Sequence, residues 1–203
     1  MIKNLILDFG GVLLPLNTSE TDTSFEKLGA RPELVEQQET FHKFETGQIS
    51  GKEFTTALQP FFFRKAIYPG DIQQAWNAML GESPEELISF LKKLSKDYRL
   101  FLLSNTNQFH VDEIRETAGP FTYKRFISKF EEVYYSHEVG LRKPDKEIFE
   151  KILADHDLDP EETFYVDDTK AHIKAARKLG LKCWHLKPEE EDIYKLPKKI
   201  AAL

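Results

Sequence analysis

The chain has 203 residues, 40% of them hydrophobic and 31% charged, with a formal net charge of −6 at pH 7. Those values fit one globular domain, or one domain with a compact insert, and speak against a nucleic-acid-binding or membrane-surface protein. The single cysteine, Cys183, excludes an intrachain disulfide, and its apolar surroundings read as those of a core thiol.

The N-terminal run MIKNLILDFGGVLLPL is broken by Asp8 and Gly10-Gly11. It lacks a basic start followed by an unbroken apolar stretch, so it does not read as a signal peptide. No segment approaches the roughly 20 apolar residues of a membrane span, and the expected compartment is the cytoplasm.

The first strand is Leu5-Ile6-Leu7, a short apolar run ending in Asp8-Phe9-Gly10-Gly11. That pattern is a buried parallel strand followed by a tight loop. Residues 16–83 then show no strand but helical spacing over 24–28, 33–45, 51–58 and 71–79. A crossover needs far less chain. The expected organisation is a core domain, residues 1–15 and 84–203, with an inserted helical subdomain, residues 16–83. Phe61-Phe62-Phe63 reads as packing for that insert.

A helix over 84–96 places Leu87, Leu91 and Leu94 on one face, with Pro84 near its start. The second strand, 100–103, ends in Ser104-Asn105, and a weaker one over 132–135 ends near Ser136. Asp145 is placed to cap a helix that buries Ile148, Phe149, Ile152 and Leu153. The strand over 163–166 ends in Asp167-Asp168, and a helix over 169–179 closes at Gly180 before the last strand, 182–185. This alternation predicts an α/β fold, a Rossmann-like parallel sheet with helices on both faces.

Ligands of open parallel sheets bind beyond the carboxyl ends of the strands. Asp8, Ser104-Asn105 and Asp167-Asp168 all end there, and Lys143, in Gly140-Leu141-Arg142-Lys143-Pro144, adds a cation beside a helix start. Crowded carboxylates repel one another unless a cation sits among them. An acidic protein also repels phosphate esters at long range, so a phosphate site here must carry its own positive charge.

Asp8-Phe9-Gly10-Gly11-Val12, Leu103-Ser104-Asn105, Arg142-Lys143-Pro144 and Val166-Asp167-Asp168 resemble the four ordered motifs of the haloacid dehalogenase superfamily. The insert after the first motif resembles its cap domain of the first type. Within that superfamily, Phe44-Glu45-Thr46-Gly47-Gln48-Ile49-Ser50 and Leu103-Ser104-Asn105-Thr106-Asn107 are similar to a bacterial branch of sugar-phosphate phosphatases. The resemblance implies a magnesium-dependent phosphatase acting on a small phosphorylated metabolite. Asp8 would attack phosphorus to give an aspartyl-phosphate that water hydrolyses. Magnesium, which prefers hard oxygen ligands, would be held by Asp8, the Gly10 carbonyl and Asp168, with Asp167 direct or through water. Ser104 and Lys143 would hold the phosphoryl oxygens, helped by the backbone N–H groups of Phe9 and Asn105. Phe44, Glu45, Trp76 and Asn77 are candidates to face the substrate from the cap, although Trp76 also fits a core position. The sequence leaves monomer and homodimer equally open.

Two departures from the family pattern matter. The usual first motif has a second Asp two residues after the nucleophile, which protonates the leaving oxygen; here that position is Gly10. Such help is worth about 10²–10⁴-fold in rate, so its absence predicts a preference for good leaving groups: anomeric, acyl or aryl phosphates. His172 stands where the family carries Asp or Asn, one helical turn past Asp168, and reads equally as a support for the metal site or as packing. His110 and His137 read as structural. Two rivals stay beside the phosphatase: a 2-haloacid dehalogenase, whose halide needs no proton on leaving, and a catalytically silent binding protein on the same fold.

Overall fold

The computed structural model describes residues 1–63, 67–84 and 86–203. Residues 64–66 of the expected insert, and Glu85 of the helix expected over 84–96, lie outside the described residues. In chain order the elements are β1 (Asn4–Leu7), α1 (Thr18–Leu28), α2 (Gln38–Glu45), α3 (Gly51–Leu58), α4 (Pro69–Asn77), α5 (Glu86–Leu94), β2 (Arg99–Ser104), α6 (Gln108–Ala118), α7 (Pro120–Ile127), β3 (Glu132–Tyr135), α8 (Ser136–Val139), α9 (Lys146–Asp155), β4 (Thr163–Asp167), α10 (Lys170–Lys178), β5 (Lys182–His185) and α11 (Leu196–Ala201). No helix among them is long and apolar enough to cross a membrane.

The five strands form one parallel sheet in the order β3-β2-β1-β4-β5. Successive side chains of a strand point to opposite faces, and β1 shows it. Leu5 and Leu7 pack with Leu87 and Leu91 of α5, Val111 of α6 and Phe126 of α7. Ile6 packs on the other face with Ile148, Phe149 and Ile152 of α9 and Ile173 and Ala176 of α10. A sheet covered on both faces needs continuously apolar strands, and every residue of β1 is buried. With β2 on one side of β1 and β4 on the other, the chain reverses its direction across the sheet at β1. The carboxyl end of β1, where Asp8 sits, is the switch point at which such sheets bind ligands.

Helices α1–α4 enclose a separate aromatic cluster: Phe25, Phe44, Phe54, Phe62 and Trp76, with Leu34, Leu58 and Ile72. Phe62 is buried in it, Phe61 packs at its margin, and Phe63 is exposed under the Arg31 guanidinium. The two passages of chain joining this unit to the sheet run side by side. Leu16 bridges Leu80, the Asn17 N–H donates to the Met79 carbonyl at 2.8 Å, and the Gly81 N–H donates to the Pro15 carbonyl at 2.9 Å.

Three local expectations needed revision. The helix read over 33–45 is a 3-10 turn, Pro32–Glu36, followed by α2, with the break at Gln37. The helix read from residue 24 begins six residues earlier, at Thr18, because Thr21 as well as Phe25 is buried along it. Asp145 stands at the N-cap of α9 with extended backbone, but its side chain makes no capping bond.

Candidate active site

Asp8 follows β1 directly, and its N–H donates to the Val166 carbonyl of β4 at 3.0 Å, so the strand pairing carries through to the residue itself. Its side chain is 9% exposed. One carboxylate oxygen, Oδ1, accepts the Phe9 N–H and the Lys143 ammonium, each at 2.7 Å. Among the described residues, no protein donor meets Oδ2.

Lys143 is fully buried. An ammonium has three N–H donors. Here they reach Asp8 Oδ1 at 2.7 Å, Asp167 Oδ2 at 2.7 Å and the Leu103 carbonyl at 3.0 Å. Its backbone is held as firmly. The Asn105 amide donates to the Lys143 carbonyl and accepts from the Lys143 N–H, both at 2.8 Å. Asn105 thus clasps the lysine loop to the end of β2, and its side chain is already engaged.

Asp167, the last residue of β4, is fully buried. Oδ1 accepts the Thr169 N–H at 2.7 Å, and Oδ2 accepts Lys143 and the Tyr165 hydroxyl. His172 Nδ1 lies 3.0 and 3.1 Å from the two oxygens. Because both are acceptors, the proton of a neutral His172 belongs on Nδ1. Asp168 is less buried. Its Oδ1 accepts the Thr169 hydroxyl at 3.1 Å, and its Oδ2 closes against Gly11. A Cβ on Gly11 would lie 2.1 Å from that oxygen, and Gly11 has φ +72. Both the backbone conformation and the close approach therefore require glycine here.

The electrostatics are lopsided. Burial raises the Asp8 carboxyl well above its usual range; Lys143 opposes the rise and Asp167 adds to it. Burial and Asp167 also raise Asp168. Against the same desolvation, Lys143 and His172 hold Asp167 well below the usual range. Burial alone would lower Lys143, but Asp167 and Asp8 raise it above its ordinary value. One buried ammonium faces three carboxylates, so the edge lacks positive charge even with Lys143 in place.

Asp8, Asp167 and His172 bring one ligand atom each within 4.8 Å of one another. The Lys143 ammonium bonds both carboxylates of that group, and it takes the position a cation between them would need. Asp168 Oδ2 lies against Gly11, and Asp8 Oδ2 has no protein donor among the described residues.

An aspartate ending the central strand, a buried lysine bonded to it, and paired aspartates ending the next strand occur here in the order of the superfamily's motifs. Residues 2–180 match the haloacid dehalogenase-like hydrolase family. The chain belongs to that family. Among curated relatives of this haloacid dehalogenase-like hydrolase, D-ribitol-5-phosphate phosphatase from Bacteroides thetaiotaomicron is 30% identical over 185 residues, 89% of each chain. A haloacid dehalogenase family enzyme from the same organism, solved as a magnesium complex, superposes with a TM-score of 0.86 at 33% identity, over 94% of this chain and 96% of that one. A hydrolase of the same fold family from Porphyromonas gingivalis gives 0.83 at 32% identity, over 100% and 98%.

The hydrolase brings Asp8, Phe9, Asn105, Lys143 and Asp167 into one hydrogen-bonded group. Ser104 is buried beside it, its hydroxyl 3.4 Å from the Asn105 carbonyl. Gly10 is partly exposed in the loop, where a Cβ would press on the Leu16 side chain at 2.6 Å. The cap-side candidates lie elsewhere. Glu45 ends α2 and bonds Arg142 at 2.9 Å, tying that helix to the residue before Lys143. Trp76 packs inside the aromatic cluster against Phe25, Phe41 and Phe54 and stacks on His110. Phe44 stacks on Phe54 in the same cluster, and Asn77 bonds Glu113 of α6 at 3.1 Å. His137 stacks beside Tyr135, and burial lowers its pKa. Sequence reasoning missed Tyr165 and Arg142. The signal for Tyr165 was its place two residues before Asp167 on one strand, which puts both side chains on one face.

Proposed function

We propose that this chain is a magnesium-dependent phosphatase of small phosphorylated polyols, working in the cytoplasm through an aspartyl-phosphate on Asp8. The observation that carries the reading is the state of Asp8: one oxygen fixed by Phe9 and Lys143, the other free of protein donors among the described residues. A nucleophile needs that division, one atom held and one open.

The residues suit magnesium. Asp8, the Gly10 carbonyl and Asp168 offer hard oxygen donors of the kind it prefers, and the bare Gly11 backbone lets Asp168 close against the loop. Magnesium bound there would shield the carboxylates and polarise the phosphoryl group. The protein's own part is orientation. Asp8 Oδ2 would attack phosphorus as the ester oxygen leaves, and water would then hydrolyse the acyl phosphate, returning the carboxylate. Lys143, with its N–H bonds already made to protein, serves first to orient Asp8 and offset carboxylate charge; a phosphoryl oxygen would have to share one of those bonds. Ser104 and the loop N–H groups complete the proposed phosphoryl pocket.

Two lines support a polyol. The curated relative is named for D-ribitol 5-phosphate, a primary alkyl phosphate, which is the kind of leaving group that the Gly10 argument ranked last. A polyol carries hydroxyls beside the ester oxygen that can deliver the proton Gly10 lacks. In addition, Trp76 Nε1 and Arg142 Nε are buried donors without partners among the described residues. Both residues lie where the helical unit meets the core, since Trp76 stacks on His110 and Arg142 bonds Glu45. Buried donors without acceptors are costly, and polyol oxygens are acceptors. In this reading residues 16–83 act as the cap that chooses the substrate, over a core of 1–15 and 84–203.

The test is a hydrolysis panel of ribitol 5-phosphate, glucose 1-phosphate and p-nitrophenyl phosphate. Turnover should require magnesium, stop with EDTA, and fall by about 10⁴-fold or more in Asp8→Asn. Halide release from a 2-haloacid without metal would replace the proposal with the dehalogenase. An inert panel would replace it with a binding protein.

A further inference from the structure

The environment of Asp167 is more complete than a metal ligand's should be. An ionised carboxylate offers about four lone-pair sites. Asp167 meets four donors, Lys143 Nζ, the Tyr165 hydroxyl, the Thr169 N–H and His172 Nδ1, all from its own chain. Among the described residues, Asp168 meets only the Thr169 hydroxyl from another residue's side chain. The two neighbouring aspartates are therefore built for different tasks.

From this geometry we infer that Tyr165 and His172 are positioning residues. They saturate Asp167 so that it anchors Lys143 and stays off the metal, and Lys143 in turn fixes the orientation of Asp8. The inference rests on the phosphatase reading and deepens it. Each link is a named bond. Tyr165 and His172 hold Asp167 from β4 and α10; Asp167 holds the ammonium at 2.7 Å; the ammonium holds Asp8 Oδ1 at 2.7 Å. Tyr165 has no freedom to turn away, because its ring is fully buried and edge-on to Phe149. The presence of histidine at 172 then has a physical reason: from α10 the Nδ1–H reaches both oxygens of a carboxylate at the end of β4, which a packing residue has no need to do. A metal approaching Asp167 would have to displace one of these donors. The Gly10 carbonyl and Asp168 Oδ2, which lies against the bare Gly11 backbone, offer sites that need no such exchange.

The experiment separates binding from turnover. Magnesium affinity is measured by calorimetry on the substrate-free protein, for the wild type, Asp167→Asn, Asp168→Asn, Tyr165→Phe, His172→Leu and His172→Asn. Asp168→Asn should weaken magnesium by about tenfold or more, in line with the loss of a metal-site ligand or support. Tyr165→Phe and Asp167→Asn should stay within about threefold of the wild type. In steady-state assays, Tyr165→Phe and His172→Leu should lose about three- to tenfold in kcat with little change in KM, because the reacting carboxylate is less well held. His172→Asn, which keeps a donor, should recover most of the loss. If Asp167→Asn weakens magnesium as much as Asp168→Asn, Asp167 is a ligand and the inference is wrong. Unchanged kcat in both Tyr165→Phe and His172→Leu also overturns it. If Asp167→Asn does not fold, the kcat losses of Tyr165→Phe and His172→Leu decide the inference, since each removes one donor from the same carboxylate. A wild-type chain that binds no magnesium at all overturns the phosphatase reading and this inference with it.

Discussion

The carboxyl edge of the sheet and the interior of the helical unit bury polar groups on opposite terms. At the edge, Asp8, Lys143 and Asp167 are buried, and Lys143 is bonded to both aspartates. The helical unit is filled instead by aromatic rings, with Phe54 in contact with Phe41, Phe44 and Trp76. Its buried polar atoms at the junction, Trp76 Nε1 and Asn77 Oδ1, have no partners among the described residues. The edge is built to hold charges at fixed positions. The helical unit is built to keep a shape, its buried threonines bonded to its own backbone carbonyls.

The largest effect should come from breaking the edge. Lys143→Met leaves Asp8 and Asp167 facing each other without their shared cation. Removing one member of a buried ion pair costs about 3–5 kcal/mol, and losing the orientation of Asp8 should lower kcat by about 10³-fold or more. Urea denaturation and steady-state kinetics measure the two losses. If Lys143→Met keeps both stability and activity, the edge is not organised around this ion pair.

Phe54→Ala attacks the other region. Phe54 is fully buried and central to the cluster, so its truncation should cost about 3–5 kcal/mol through lost contacts and a cavity. Its signature should differ from that of Lys143→Met: a lower urea midpoint and a raised KM, with magnesium affinity unchanged. A fall in magnesium affinity equal to that of Asp168→Asn would mean that the two regions are not separable.

The edge was legible in the sequence because its chemistry breaks a pattern. Asp8 and Asp167 each end an apolar run, and in a parallel sheet such ends share one edge, so the residues could be brought together without coordinates. The strands were legible for the same reason, β3 and β5 included. Helices α6 and α7 were not. Only His110 and Val111 are buried along α6, and only Phe126 along α7, so the periodic signal is thin. Asn107, whose side chain caps α6 by accepting the His110 N–H, was read as part of a strand-end motif. Tyr165 was hidden because its ring belongs in an apolar strand and only the hydroxyl at its tip does other work. Trp76 carried two readings in the sequence, and only tertiary packing put it among Phe25, Phe41, Phe54 and His110.

His110 joins the two regions and gives the smallest and most specific prediction. It sits on α6 of the core and stacks on Trp76 of the helical unit; its Nε2 lies 3.3 Å from the Trp76 carbonyl, and its Nδ1 lies 3.2 Å from the Asn107 amide nitrogen. The neutral ring with its proton on Nε2 satisfies both contacts, donating to the carbonyl and accepting from the amide. Burial lowers its pKa to about 4 from 6.5, although the Trp76 carbonyl favours the protonated form. The unfolded chain therefore binds this proton near pH 6.5, and the folded chain not until near pH 4. Its contribution to stability is complete above pH 6.5 and is lost as the pH falls toward 4, by up to about 3 kcal/mol. His110→Phe keeps an aromatic ring on Trp76 and removes the proton. Urea midpoints at pH 7, 5.5 and 4.5 should fall less steeply in His110→Phe than in the wild type. Equal slopes would mean that acid does not act on the junction through His110. A steeper wild-type slope accompanied by a rising KM that His110→Phe does not share would show that the seating of the helical unit on α6 governs substrate binding.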